Sequence, residues 1–199
     1  MNNSVSPHPA EAALLAQTSP DIINRVKKIQ LMVFDVDGVL TDGRLHYGEQ
    51  GEVLKVFHAL DGHGLRLLKE SGIHVALITG RQGDIVNRRG AELGIQHIKQ
   101  GIRNKVETLE ALTNQLGLDM SQVGFMGDDL IDLSAMQIAG FAASVPNAPS
   151  YIAQAAHWVA KRPGGSGAAR ECCDLILASQ GKLSQFFQPK PMIMSGAIQ

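Results

Sequence analysis

Leu31-Met32-Val33-Phe34-Asp35-Val36-Asp37-Gly38-Val39-Leu40-Thr41-Asp42-Gly43 decides how the rest of the chain is read. Leu31 to Phe34 are consecutive apolar residues, the pattern of a strand buried on both faces of a parallel sheet. Where that strand ends, Asp35 and Asp37 stand two residues apart and glycines follow. Ligands of open parallel sheets sit at the carboxyl ends of the strands, so this pair lies at a candidate active site. One carboxylate can attack an electrophile and carry it covalently, while the other gives and later takes a proton. Two acids this close repel each other, which calls for a cation beside them. The same residues also suit a plain strand-to-turn transition, because Asp and Gly are ordinary turn residues. On their own they leave both readings open.

The 199 residues suit one α/β domain able to bury a sizeable core, and a hydrophobic share of 44% is ordinary for a globular chain. A net charge of −1 creates no field that favours nucleic acid or a membrane surface, and neither is an expected partner. No apolar run is long enough to span a bilayer, and no basic start followed by an apolar core marks a signal peptide. The only cysteines, Cys172 and Cys173, are adjacent. They form neither a disulfide framework nor a metal-ligand set, and a cytoplasmic setting is expected.

Working outward, residues 1–20 read as a loose arm with a short helix over 10–17, and Asp21 as the cap of a helix carrying Ile22, Ile23 and Val26. Residues 44–57 place two β-prone runs around a Gly48-x-x-Gly51 turn, a hairpin able to stand over the two acids as a flap. Asp61-Gly62-His63-Gly64 opens a helix that Gly72 closes. Strands are predicted at 74–78, 95–98, 123–126, 141–145 and 157–160, with helices at 84–93, 105–116, from 130, and at 150–156. Residues 163–167 read as a flexible hinge before a last helix over 168–178, and residues 181–199 as a mobile tail. Alternating strands and helices predict a doubly wound parallel sheet in a single domain over 21–180.

Polar groups mark three strand ends, Asp35/Asp37, Thr79 and Asp128/Asp129, and Lys105 starts the helix after another strand. In a doubly wound sheet these points converge on one rim. A phosphoryl group needs a nucleophile, a proton donor, a hard cation and donors for its spreading charge, and this set supplies each. Taken singly, Thr79-Gly80 suits a plain turn, Lys105 a solvated lysine, and Asp128-Asp129 an N-cap. All of them in this order, each after a buried strand, is a much rarer coincidence.

Asp35-x-Asp37-Gly38-Val39, Thr79-Gly80-Arg81, Lys105 and Gly127-Asp128-Asp129 resemble the four motifs of the haloacid dehalogenase-like phosphatases, over about residues 29–145. The resemblance implies that Asp35 is the nucleophile that becomes an aspartyl phosphate and Asp37 the general acid and base. Thr79 and Lys105 would hold the phosphoryl oxygens. Magnesium would sit on Asp35, Asp128 and the main-chain carbonyl of Asp37, with Asp129 and Asp132 supporting the site from outside the ligand set.

Little room remains for the cap domain with which members of that superfamily choose substrates, and a neighbouring subunit is the simplest cover for an open site. The run Asp35 to Gly43, Asp61-Gly62, and residues 163–171 are similar to the family of 3-deoxy-D-manno-octulosonate 8-phosphate phosphatases, extending the resemblance through about residue 180. That implies a homotetramer in which flap hairpins associate and C-terminal segments reach neighbouring sites. It also implies release of phosphate from an eight-carbon sugar acid on the way to lipopolysaccharide. His58, Ala59, Leu60, Asp61, Gly62, Arg66, Arg81 and Arg89 match positions that family uses for substrate, together with Asp37 and Lys105. Arg170 is a further contact or a closing residue. Each arginine also suits a solvated helix charge. Leu60 departs from the polar or basic residue that often precedes Asp-Gly in the family.

Three rivals follow. A nine-carbon sialic-acid-type phosphate would use the same chemistry, and Leu60 keeps it open. A phosphosugar mutase usually needs a cap. A non-catalytic oligomerisation domain predicts losses among Asp35, Asp37, Lys105 or Asp128, all of which are present.

Overall fold

Strand β1 (Leu31–Phe34) forms with every residue buried on both sides, as its run of apolar residues requires. The computed structural model describes residues 8–187. Helices α1 (Pro9–Ala16) and α2 (Pro20–Val26) precede β1, and the hairpin strands β2 (His46–Gly48) and β3 (Gly51–Leu54) follow it. Helix α3 (Ala59–Glu70), β4 (His74–Ile78), α4 (Asp84–Glu92), β5 (His97–Lys99) and α5 (Lys105–Gln115) come next. The alternation continues through β6 (Val123–Met126), α6 (Leu130–Ile138), β7 (Phe141–Ser144), α7 (Ser150–Ala155), β8 (Trp158–Val159) and α8 (Ala168–Ser179).

The main sheet has the order β5-β4-β1-β6-β7-β8 and every pairing in it is parallel. The chain runs outward from β1 through β4 to β5, then returns to β6 on the other side. The order reverses at β1, so a crevice opens at the carboxyl end of that strand. Successive β1 side chains point to opposite faces. Met32 and Phe34 pack with Leu65, Leu68, Leu77 and Ile176 on one face. Leu31 and Val33 pack with Ile78, Leu109, Leu112, Phe125 and Met136 on the other. Truncating Phe34, which is fully buried, to Ala costs about 3–5 kcal/mol.

Six local expectations are corrected. The loose arm expected over 1–20 is, from residue 8, a docked helix: Glu11 of α1 is buried and accepts from the Ser184 N–H at 2.7 Å and its hydroxyl at 2.9 Å. His8 stacks on Phe187 at 4.2 Å. Ser19, not Asp21, caps α2, because Pro20 at the first helical position leaves Ser19 extended and its oxygen facing the Ile22 N–H. His58 caps α3, so this helix starts before Asp61. Strand β5 runs later than expected, since the Ile95 N–H turns back to the Gly90 carbonyl at 2.8 Å.

The segment 163–167 is no loose hinge: the Gly165 N–H donates to the Val39 carbonyl at 2.9 Å and the Gly164 N–H to Asn147 Oδ1 at 3.0 Å. A Cβ on Gly164 would overlap the Gly38 carbonyl, so glycine there lets the segment lie directly on the loop after β1. Of the expected tail, Ser184–Phe186 form a short 3-10 helix and Leu183 is buried. Residues 1–7 and 188–199 lie outside the described residues.

Candidate active site

The Asp35 N–H donates to the Met126 carbonyl at 2.9 Å, carrying the sheet one residue past β1 and fixing where that carboxyl points. Beyond it the chain folds back: the Leu40 and Thr41 N–H groups donate to the Val36 carbonyl at 2.9 and 3.0 Å. Buried Thr41 accepts from the N–H groups of Gly38 and Gly43 at 3.3 and 3.2 Å. Gly38 has φ +100° and a Cβ on it would overlap the Asp128 carboxylate, so this position needs glycine on two counts.

Asp128 follows β6, and the α6 N-terminus is tied by two aspartates. Asp129 caps the helix, accepting from the Leu130 N–H at 2.7 Å. Asp132 is wholly buried, and its Oδ2 accepts from the N–H groups of Asp128 and Asp129 at 3.0 and 3.2 Å. Its Oδ1 meets Lys105 Nζ at 2.5 Å. Lys105, the first residue of α5, reaches Asp35 Oδ1 at 2.6 Å with a side chain 1% exposed. Thr79 at the end of β4 is buried and accepts from the Arg81 N–H at 3.4 Å. Asp35, Thr79, Lys105 and Asp128 thus lie at the carboxyl ends of β1, β4 and β6 and at the start of α5.

Carboxylates outnumber cations in this buried cluster. Burial, then the Asp132 charge, pushes the Asp35 carboxyl up to about 7 against the pull of Lys105. Burial, then Asp35, Asp132 and Asp129, pushes Asp128 up to about 7. Burial alone would lower the Lys105 ammonium, but Asp35 and Asp132 outweigh it and the pKa is raised.

Sequence reasoning set the hairpin over the acids but named none of its side chains. Lys55, just past β3, bonds Asp37 Oδ1 and meets Glu52 Oε1 at 2.8 Å, its side chain 3% exposed. Arg81 Nε lies 3.8 Å from Asp37 Oδ2, and its guanidinium 3.8 Å from Glu52 and within hydrogen-bond contact of the Tyr47 hydroxyl. The available signal was a charged residue at 55 between the apolar Leu54 and Val56. Its partner 18 positions away has no local signature.

The expected substrate contacts divide. His58, Asp61, Gly62 and Arg89 line one small cavity with Leu40, Phe57 and Leu65. Arg89 lies 5.8 Å from the Phe57 ring centre, and a Cβ on Gly62 would overlap its guanidinium. Ala59 and Leu60 are exposed on the first turn of α3. Asp61 is buried, and its oxygens accept from the N–H groups of Gly167 at 3.2 Å and Arg170 at 2.8 Å. It pins α3 to the start of α8 while lining the same cavity as His58 and Arg89. Arg170 pairs with Asp174 at 2.8 Å. Arg66 is exposed on α3, with no ion pair among the described residues.

The donors fit a hard divalent cation. Carboxylate oxygens of Asp35, Asp128 and Asp132 lie within 4.8 Å of one another. Both Asp132 oxygens are already engaged, whereas Asp128 Oδ1 is buried without a partner. Asp128 Oδ1, and the Asp35 oxygen that Lys105 does not hold, make a sparse oxygen supply of the kind magnesium completes with water.

The chain is 41% identical over 174 residues to the 3-deoxy-D-manno-octulosonate 8-phosphate phosphatase KdsC of Escherichia coli, spanning 87% of this chain and 93% of that one. The chain belongs to the KdsC phosphatase family. The Yersinia pestis KdsC phosphatase is 44% identical over 82% of this chain and 87% of its own length. A family model described as haloacid dehalogenase-like hydrolase matches residues 95–171. The crystal structure of the Moraxella catarrhalis phosphatase, in complex with magnesium ion, phosphate ion and KDO, superposes with a TM-score of 0.83 at 43% identity. That match covers 85% of this chain and 97% of the other. The helix-flanked parallel six-stranded sheet is thus a fold this chain shares with its KdsC relatives.

Proposed function

We propose that this chain is a magnesium-dependent phosphoric monoester hydrolase that converts 3-deoxy-D-manno-octulosonate 8-phosphate to the free sugar acid and phosphate, in lipopolysaccharide biosynthesis. The observation that carries the reading is the meeting of Asp35, Lys105, Asp128 and Asp132 at the sheet's reversal point. In the first half-reaction an Asp35 oxygen bonds to phosphorus. The ester P–O bond breaks, its electron pair passes to the sugar oxygen, and that oxygen takes a proton from Asp37. In the second half a water oxygen attacks the same phosphorus while Asp37 takes its proton. The bond to Asp35 then breaks and the carboxylate is restored.

Lys105 neutralises Asp35 and, with Thr79, is placed to hold phosphoryl oxygens. Asp35 and Asp128, with the main-chain carbonyl of Asp37, would hold magnesium, which when bound supplies the positive charge that phosphoryl oxygens need among carboxylates. Asp129 and Asp132 fix the loop that carries Asp128. Arg81, Arg89 and His58 are the side chains best placed for the sugar acid.

A cytoplasmic homotetramer completes the proposal. Tyr47, Val53, Leu54 and Val56 of the hairpin are 60%, 61%, 48% and 55% exposed, a patch suited to packing against other hairpins.

The test is phosphate release from a panel of sugar phosphates with and without magnesium, using Asp35→Asn as control. Preference for the eight-carbon acid, dependent on magnesium and lost in Asp35→Asn, is expected. Preference for the nine-carbon acid, which Leu60 leaves open, keeps the chemistry and moves the pathway. No release from any of them by folded, magnesium-loaded protein overturns the reading.

A further inference from the structure

The hairpin inverts the usual order of burial. Its aliphatic residues Val53, Leu54 and Val56 are 61%, 48% and 55% exposed, while Lys55 between them is 7% exposed. A lysine is rarely buried unless paired, and the ammonium of Lys55 has two carboxylate partners, Asp37 Oδ1 and Glu52 Oε1. Glu52 lies three residues earlier on the same hairpin, so it aims the lysine without tying it to the sheet. Asp37 is the only contact through which this ammonium joins the hairpin to the catalytic loop among the described residues.

The two oxygens of Asp37 are treated differently. Oδ1 is held by Lys55. Oδ2 is buried and has no hydrogen-bond partner. Opposite it, at 3.8 Å, stands Arg81 Nε, likewise buried and unpartnered. That separation is too long for a hydrogen bond, and each group faces the other with its capacity unused. An ester oxygen seated beside both would receive a proton from Oδ2 and a hydrogen bond from the Arg81 N–H.

We propose that Lys55 is a positioning residue for the acid–base step: by holding Asp37 Oδ1 from the closed hairpin, it keeps Oδ2 aimed at the leaving oxygen. An acid or base is effective when a third group fixes its orientation, as in other catalytic sets. The arrangement makes the proton donor competent only when the hairpin is down, so closure over the site and readiness for bond cleavage are one event. The inference rests on the phosphatase reading above and adds to it a residue on the flap.

Leaving-group chemistry provides the test. A sugar alkoxide needs a proton as it departs, whereas p-nitrophenolate leaves without one. Lys55→Met, Lys55→Arg and Glu52→Gln are assayed with magnesium on the sugar phosphate that the parent prefers and on p-nitrophenyl phosphate. Lys55→Met is expected to lower kcat on the sugar phosphate by about 30- to 100-fold with KM changed less than about threefold, in line with the usual worth of a placed proton donor. On p-nitrophenyl phosphate the pre-steady-state burst of p-nitrophenolate, which reports only the first half-reaction, is expected to slow less than about threefold, whereas the second half-reaction, in which Asp37 acts on water, slows with either substrate. Lys55→Arg should restore most of the loss, Glu52→Gln should give the same selective pattern more weakly, and Lys55→Met should add nothing to Asp37→Asn. Equal slowing of the first half-reaction on both substrates, or no loss on either, would overturn the inference while leaving the phosphatase reading intact. A parent protein inert towards both substrates would overturn that reading and this inference with it.

Discussion

Three carboxylates and one ammonium share the buried end of β1, and this imbalance predicts how the metal-free protein responds to pH. Asp35 and Asp128 are pushed up to about 7, mainly by burial, whereas an unfolded aspartate titrates near 3.9. Between about pH 4 and pH 7 the folded chain therefore holds protons that the unfolded chain releases. The stability these groups contribute is fully present below about pH 4 and is lost as pH rises through about 7. In thermal melts with EDTA, the midpoint is expected to fall from about pH 5 to pH 8. Magnesium at about a hundredfold excess over its Kd should raise it again at pH 8 by about 5–10 °C, through about 2.7 kcal/mol of linkage, and by much less at pH 5 where protons compete. Burial also raises Asp61 and Asp174, which lie outside the cluster, so Asp128→Asn isolates the effect. That variant should melt higher than the parent at pH 8 without metal, and its midpoint should not respond to magnesium. A parent midpoint indifferent to both pH and magnesium would contradict the proposed ligand set.

Loops rather than regular elements bring these groups together, and they do so by close approach at glycines. The 163–167 segment lies against the loop after β1 so tightly that a Cβ on Gly164 would meet the Gly38 carbonyl. Gly164→Ala must push the two loops apart and take Gly38, and with it Asp128, out of register. The expected result is a loss of about 2–3 kcal/mol in denaturant unfolding, the scale of overpacking a tight site, together with a kcat at least about tenfold lower. Gly83→Ala is the contrast: its backbone is extended at φ 174° and a Cβ would meet nothing within 4 Å. It should leave both measurements within error, and equal effects from the two changes would refute the close-approach argument. Such contacts also explain what could be read from the sequence. Strand and helix order follows from apolar runs and glycine stops, and Asp35, Asp128, Thr79 and Lys105 were legible because each follows a buried strand. The 163–167 segment was not, since its glycines signal flexibility locally and are fixed by Asn147 and by a loop over a hundred residues away. Asp61 shows the same limit: that it also accepts from the distant Gly167 and Arg170 N–H groups has no local signature. The docking of α1 was hidden because its buried residue is Glu11, a charge that hydropathy alone assigns to solvent.

Taken as a whole, the chain covers its catalytic crevice with a two-stranded hairpin, and an isolated hairpin of this size is marginal in water. The inward side of the hairpin is satisfied by ions, through Lys55, Glu52 and Arg81. Its apolar residues Tyr47, Val53, Leu54 and Val56 stand exposed, with no core among the described residues to bury them. Association with other hairpins would remove that apolar area from water and hold the ionic side down on Asp37 at the same time, so assembly and site closure should fail together. Val53→Glu, at the most exposed of these positions, places a charge on the outward face and touches no residue of the site. In light scattering after size exclusion, the parent is expected to elute at four chain masses and Val53→Glu at two or one. The separated form should keep its melting midpoint within a few degrees, because the main core is untouched. Its kcat/KM on the sugar phosphate should fall at least about tenfold, and limited proteolysis should cut within residues 44–57 faster than in the parent. A dissociated Val53→Glu with full activity and an uncut hairpin would mean that one chain closes its own site unaided. A parent that is monomeric yet fully active would remove the tetramer from the account, leaving the ionic contacts of Lys55 and Arg81 as the sole restraint on the flap.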